Sequence, residues 1–326
     1  MFNPTRRQAM LGLGLSILAP TTARANDRVL YLFPTVPTLP AFAPFHVAKA
    51  KGYFADNRLD ITFQAAKGGV DGAKMVGAGH ADFSGGIGDT PMIVRANGIP
   101  TRAVALLGGR PLHQLVVRKA VKFTNFADLK GKNVGVVALQ DTSYFNLLAV
   151  IASVGLRKED LNIQAVGPSG VTQLMVKGQL DAIVGAPEWG ITIENNGTPV
   201  DMLQIDAVFP AMAQAVLTRD ENIKTRPDII KRLVASVLGG LRFTMESPAE
   251  AAGLYLKEVG RPDTERRNVE RILEFYAKTV YPPQRGLKLG EFDAKQVAFV
   301  QDFYLKSGII ASASRVEDLF TNQFVG

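Results

Sequence analysis

From Asn26 onward, short apolar runs alternate with stretches whose apolar residues recur at helical spacing. The runs 29–33, 59–63, 81–84, 103–107 and 115–118 predict strands. Between them, 42–52, 71–78 and 90–97 predict helices, the first stopped by Gly52. A second series repeats the rhythm: strands over 134–137, 162–166, 182–184 and 202–205, helices over 143–154 and 171–177. Strand and helix in alternation argue for parallel strands with helices on both faces. Beyond a strand at 215–218 the pattern becomes almost wholly helical. Ser247-Pro248-Ala249-Glu250 and Ser314-Arg315-Val316-Glu317 read as capping boxes. Gly308 reads as the stop of a helix carrying Val297, Val300 and Phe303.

Two segments echo each other. Met75–Phe83 and Met175–Ile183 both end a helix at glycine, then give two residues, an aspartate and an apolar strand. Each strand leads to glycine and then to a proline able to open a helix, Pro91 or Pro187. The pair points to two similarly built lobes, and doubly wound sheets bind ligands at the carboxyl ends of their strands. Two such ends facing one another make a cleft.

The first 25 residues change the picture of the start. Arg6 and Arg7 precede an apolar stretch, 9–19, too short for a bilayer core of ~30 Å at ~1.5 Å per residue. Ala23-Arg24-Ala25 offers the small-x-small pattern of a cleavage site, so residues 1–25 read as a removable export signal. The Arg6-Arg7 pair makes it twin-arginine-like, with Sec export as the other route. No cysteine stands at the cleavage point to take a lipid. No later apolar run approaches the ~18 residues of a membrane span.

The net charge is +7 over 326 residues, and the chain has no cysteine. Without Arg6, Arg7 and Arg24, 34 basic residues face 30 acidic ones. That excess is scattered, which gives no nucleic-acid footprint. Disulfides, thiol catalysis and cysteine-bound metals are excluded. His46, His80 and His113 lack metal spacing and read as structural or surface residues. No Gly-x-Ser-x-Gly elbow is present. No cofactor or catalytic residue is expected.

Candidate ligand contacts fall in the loops after strands. Pro37 and Thr38 sit in a proline-rich loop, either at the cleft or in a plain connection. Gly86, Ile87, Asp89 and Thr90 belong to a glycine-rich loop before a helix, where bare N–H groups can hold an anion. No Gly-Lys-Ser/Thr follows, so it is not a phosphate P-loop. Arg110 either pairs with a sulfonate or carboxylate or is an exposed loop arginine. Gln140, Thr142 and Ser143 open a helix; Thr142 and Ser143 offer hydroxyls, and Asp141 or Thr142 suits its cap. Pro187, Glu188 and Trp189, the single tryptophan, offer an aromatic wall with a carboxylate.

Four stretches carry a resemblance: Ala43–Phe54 (APFHVAKAKGYF), Gly79–Phe83 (GHADF), Asp128–Val136 (DLKGKNVGV) and Gly178–Ala182 (GQLDA) followed by Pro187. In order and spacing the chain resembles the periplasmic binding proteins for sulfonate, nitrate and taurine and the related thiamine-precursor binders. The resemblance implies a type II, two-lobed α/β fold with two doubly wound mixed sheets. Residues 26–116 would begin lobe one, 117–214 form lobe two, and 215–326 return to lobe one with the C-terminal helices. The crossing segments would lie near 115–119 and 214–218. It also implies a periplasmic, monomeric binder that closes on a small organic anion and docks on an ABC permease in the inner membrane. A pyrimidine thiamine precursor is the alternative ligand. A periplasmic enzyme or a ligand sensor is the alternative class. One related branch makes a thiamine pyrimidine from its own histidine and carries a cysteine-rich motif, which this chain lacks.

Overall fold

The computed structural model describes residues 25–139 and 141–326. The expected leader, apart from its last residue Ala25, lies outside the described residues, as does Gln140. Ten strands among the described residues form two five-stranded mixed sheets. In chain order they are β1 (Asp27–Phe33), β2 (Leu59–Ala65), β3 (Phe83–Ile87), β4 (Thr101–Leu106), β5 (Gln114–Arg118), β6 (Asn133–Val136), β7 (Asn162–Ala165), β8 (Ala182–Gly185), β9 (Val200–Gln204) and β10 (Gln214–Arg219).

The first sheet has the order β2-β1-β3-β10-β4 and the second β7-β6-β8-β5-β9. Within each, three strands run parallel. One strand in each is antiparallel to both its neighbours, β10 in the first sheet and β5 in the second. These two are the strands that arrive from the other lobe. The chain therefore leaves the first sheet over 107–113 and returns over 205–213. The expected crossings at 115–119 and 214–218 are themselves sheet strands, and a boundary after residue 116 would cut β5 in half. An apolar run that enters a sheet centre looks the same in sequence whichever lobe it came from.

The expected parallel pairing holds for the βα units and fails for these two strands. A second correction concerns Gly85 to Ile87, expected in a loop after a strand ending at Ser84. They belong to β3, buried between β1 and β10. A Cβ on Gly86 would stand 2.7 Å from Thr90 Oγ1 and 2.9 Å from Leu217 Cδ1. The glycine is there for close approach of the crossing strand.

Aromatic residues fill the first lobe. Phe33 stacks on Phe42 with centroids 4.3 Å apart, and Tyr31 meets Phe45 at 4.8 Å. The helices Ala43–Ala50 and Pro227–Glu246 pack on one another beside this cluster. The C-terminal segment returns to the outer edge of β4 through bridges from Gly290 to Leu106 and Phe320 to Ala103. Neither expected capping box forms. Ser247 gives its N–H to Phe243 of the preceding helix and makes no side-chain cap. Ser314 is held at both N–H and C=O by the Gln301 amide, so Arg315 takes the cap position. Gly308, left-handed at φ 68°, does follow the helix Ala294–Lys306. No helix among the described residues is long and apolar enough to cross a membrane.

Candidate functional site

The carboxyl ends of β1, β3, β6 and β8 converge on one enclosed cleft. Pro34 and Thr35 follow β1, Ile87 ends β3, Val137 follows β6, and Ala186 follows β8. The starts of the crossing strands complete the floor with His113 and Gln214. Leu39, Phe42 and Leu112 give apolar walls on one side, and Trp189, Glu188, Asp141 and Thr142 face them from the other. The cavity is about 40 Å³, far below the ~300 Å³ of an ordinary ligand pocket. The lobes therefore stand closed, and a Cβ added to Gly69 of the first lobe would stand only 3.0 Å from Thr142 Cγ2 of the second.

Each charged or polar wall group has a physical reason for its place. Asp141 caps the helix Thr142–Ser153 by accepting from Ser143 N–H at 2.9 Å. Glu188 sits in the first turn of the helix Pro187–Asn195, fully buried, and accepts from the Tyr276 hydroxyl at 2.5 Å. Burial pushes its carboxyl above the ordinary range, and the Tyr276 hydroxyl pulls it part of the way back. Trp189 lies against Gly185, where a Cβ would overlap the indole. Thr35 Oγ1 and Gln214 Nε2 are buried at the cleft with no hydrogen-bond partner, and a buried polar group left so costs about 1–3 kcal/mol. They are ready contacts for a bound molecule.

Of the residues singled out in the sequence, the cleft brings together Gly86, Ile87, Thr142, Glu188 and Trp189. Ser143 is buried just behind Thr142, its Oγ unpartnered. Pro187 is buried at the first turn of its helix and does not line the cleft. Thr90 turns inward, and its Oγ1 accepts from Ile87 N–H at 2.9 Å. Asp89 is buried beside the cleft in a network described below. Pro37 and Thr38 are spent on packing, for their carbonyls accept from His46 Nε2 at 2.8 Å and from the Tyr255 hydroxyl at 2.5 Å. Pro34, Thr35 and Leu39 of the same loop reach the cleft instead.

Arg110 is outside the lining. It lies half-exposed on the first crossing segment and makes a two-pronged pair with Asp206 of the second, at 2.9 and 3.1 Å. None of the described residues lining the cleft is Lys or Arg. His113, expected to be structural or on the surface, is a buried cleft residue, and Gln214 was not singled out at all. Both stand next to a strand start, and only the crossing topology, which the sequence pattern does not show, brings them to the floor. No group of three or more His, Asp or Glu among the described residues is placed to hold a metal.

The chain belongs to the family described as NMT1/THI5 like, whose model matches residues 39–251. It is 24% identical over 314 residues to the riboflavin-binding protein RibY of Chloroflexus aurantiacus, covering 94% of this chain and 88% of that one. It is 22% identical to the 4-amino-5-hydroxymethyl-2-methylpyrimidine phosphate synthase THI13 of Saccharomyces cerevisiae, covering 87% of each. The alkanesulfonate-binding protein SsuA of Xanthomonas axonopodis pv. citri, solved with MOPS, shares its fold. The TM-score is 0.74 at 17% identity, over 92% of this chain and all of that one. The two-lobed α/β binding-protein fold expected from the sequence is the fold observed.

Proposed function

We propose that this chain is the exported, periplasmic substrate-binding component of an ABC importer, monomeric and without catalytic activity of its own. The enclosed cleft between the carboxyl ends of two like-ordered sheets carries this reading. A site shared between two lobes joined by two crossing segments opens and closes by hinge motion, as capture and delivery to a permease require. A small organic anion of the sulfonate, nitrate or aromatic carboxylate type is the first ligand reading. The fold it shares with an alkanesulfonate-binding protein supports it. So do the Thr142 hydroxyl and the N-terminus of the twelve-residue helix Thr142–Ser153 at the cleft.

The cleft's side chains favour a second reading, a flat nitrogen heterocycle such as a pyrimidine. Trp189 and Phe42 offer ring faces, while Glu188 and Asp141 repel a bare anion and no cation in the lining offsets them. Relatives named for riboflavin and pyrimidine chemistry support it. The synthase among them keeps a periplasmic enzyme as the rival class, and the lack of any cysteine favours a binder. A thermal-shift screen of residues 26–326 against sulfonates, nitrate, aromatic acids, pyrimidines and flavins tests this. Binding to the folded state alone raises stability by ~2.7 kcal/mol at a hundredfold excess over Kd. One chemical class shifting the melt, unconverted after incubation, is the expected result. No shift with any class, or turnover of a hit, overturns the binding role.

A further inference from the structure

Beside the cleft, a buried cluster joins the lobes. Asp89 begins the turn into the helix Thr90–Arg95 of the first lobe, and Asn146 lies in the helix Thr142–Ser153 of the second. His113 ends the first crossing segment, and Tyr304 comes from the helix Ala294–Lys306. All four are buried. Asn146 faces both ways. Its Nδ2 donates to Asp89 Oδ2 at 3.0 Å, and its Oδ1 takes His113 Nδ1 at 3.0 Å. A carboxamide oxygen only accepts, so the His113 proton sits on Nδ1. The Tyr304 hydroxyl donates to the same Asp89 oxygen at 2.6 Å and lies 3.4 Å from Asn146 Nδ2. A rotation that moves the helix Thr142–Ser153 away from the helix Thr90–Arg95 would draw Asn146 away from Asp89.

We propose that Asn146 is a positioning residue for ligand capture, the latch by which the second lobe closes onto Asp89 and Tyr304 of the first. Its consequence for ligand retention rests on the binding role proposed above, whereas the latch itself belongs to the free protein. The titratable groups around it set the pH behaviour. Tyr304 faces Asp89 directly, His113 faces it through Asn146, and Asp141 acts on His113. Burial raises Asp89 to about 6, and burial lowers His113. Opening returns both toward their ordinary values. Asp89 therefore favours closure as pH falls through about 6, and this contribution is lost as pH rises through that value. His113 works the other way, because the latched form is neutral and protonation below its ordinary value of 6.5 favours opening. In the native protein the two slopes oppose.

The test uses residues 26–326 without ligand. Trp189, the single tryptophan, is 8% exposed in the cleft wall, so acrylamide quenching of its fluorescence and the radius of gyration from X-ray scattering read opening. Asn146→Ala is expected to raise both, with the far-UV dichroism of the native chain. Asp89→Asn is expected to open as pH falls from 7.5 to 5. His113→Asn, which keeps a donor for Asn146, is expected to close over that range, by about tenfold in the closed-to-open ratio for Asp89 moving between ~3.8 and ~6. A folded Asn146→Ala with native quenching overturns the proposal. So do pH slopes of the same sign in the other two variants, which decide the matter if Asn146→Ala does not fold. Because no ligand is used, failure here leaves the binding role standing, and a silent ligand screen leaves the latch standing.

Discussion

The two lobes are one design executed twice. Strand β1 corresponds to β6, β2 to β7, β3 to β8 and β4 to β9, and the crossing strands β10 and β5 take the same slot. The echo extends to side chains. Leu30 N–H donates to Asp82 Oδ2 at 2.9 Å, and Asn133 N–H donates to Asp181 Oδ2 at the same distance. In each lobe the aspartate before the third strand pins the first. The glycine that ends the preceding helix, left-handed Gly79 or Gly178, lies under the arginine that closes the crossing strand, Arg219 or Arg118. The cleft faces differ. The first lobe presents Leu39 and Phe42 from an aromatic cluster, and the second presents Trp189 with two carboxylates. The repeated parts hold the sheets, and the parts that line the cleft differ.

The largest test of that difference sets Gly185→Ala against Gly85→Ala. Gly185 ends β8, and Gly85 lies inside the equivalent strand β3, one position before the residue that corresponds to Gly185. A Cβ on Gly185 falls inside the Trp189 ring, whereas on Gly85 it stands 3.1 Å from Pro34 Cδ and 3.3 Å from the Tyr31 hydroxyl. Overpacking costs about 1–3 kcal/mol, so Gly185→Ala is expected near the top of that range and Gly85→Ala near the bottom. Chemical denaturation gives the two costs, and a shift of the tryptophan emission accompanies only the first. Equal costs would mean that Trp189 yields easily and is not a fixed wall.

A smaller contrast lies in the paired aspartates. Asp181 holds one backbone N–H. Asp82 holds one as well and also pairs with Arg226. Losing a neutral partner costs about 0.5–1.5 kcal/mol and a charged one about 1.5–3 kcal/mol, both reduced here by partial exposure. Asp82→Ala is expected to destabilise by about 2 kcal/mol and Asp181→Ala by about 1 kcal/mol, read from denaturation midpoints. The reverse order would show that the second lobe depends more on its pin than the first.

The repeat was legible because its glycine and aspartate are dictated locally, by a helix end and by one backbone N–H. Strand placement was legible for the same reason, since burial on both faces leaves plain apolar runs such as 103–107. The crossings were not. Nothing local in Gln114–Arg118 says that it pairs with β8 and β9 instead of β4. That one ambiguity hid His113 and Gln214, whose place at the cleft floor is a product of topology. Trp189 and Glu188 were found because a lone tryptophan beside a carboxylate after a strand is a local signal. Pro37 and Thr38 were misplaced by a few residues, since a loop's sequence does not say which of its residues turn inward.

Arg110 gives the smallest and most discriminating comparison, between the two crossing segments themselves. Its guanidinium spans from 107–113 to Asp206 in 205–213. The neighbouring Asp206 carboxylate raises it above the usual arginine value, but the side chain is 48% exposed and water screens the pair. Exposed pairs contribute about 0.2–1 kcal/mol, so Arg110→Ala is expected to lower stability by about 0.5 kcal/mol. Lying outside the cleft, it should leave the affinity for any hit of the ligand screen within about threefold, a difference of ~0.7 kcal/mol. Asp206→Ala should match it in both readings, because either change removes the same clasp. If instead Arg110→Ala alone abolished binding of an anion, the arginine would be shown to leave Asp206 for the ligand. The anion reading would then gain the cation that the closed cleft does not offer.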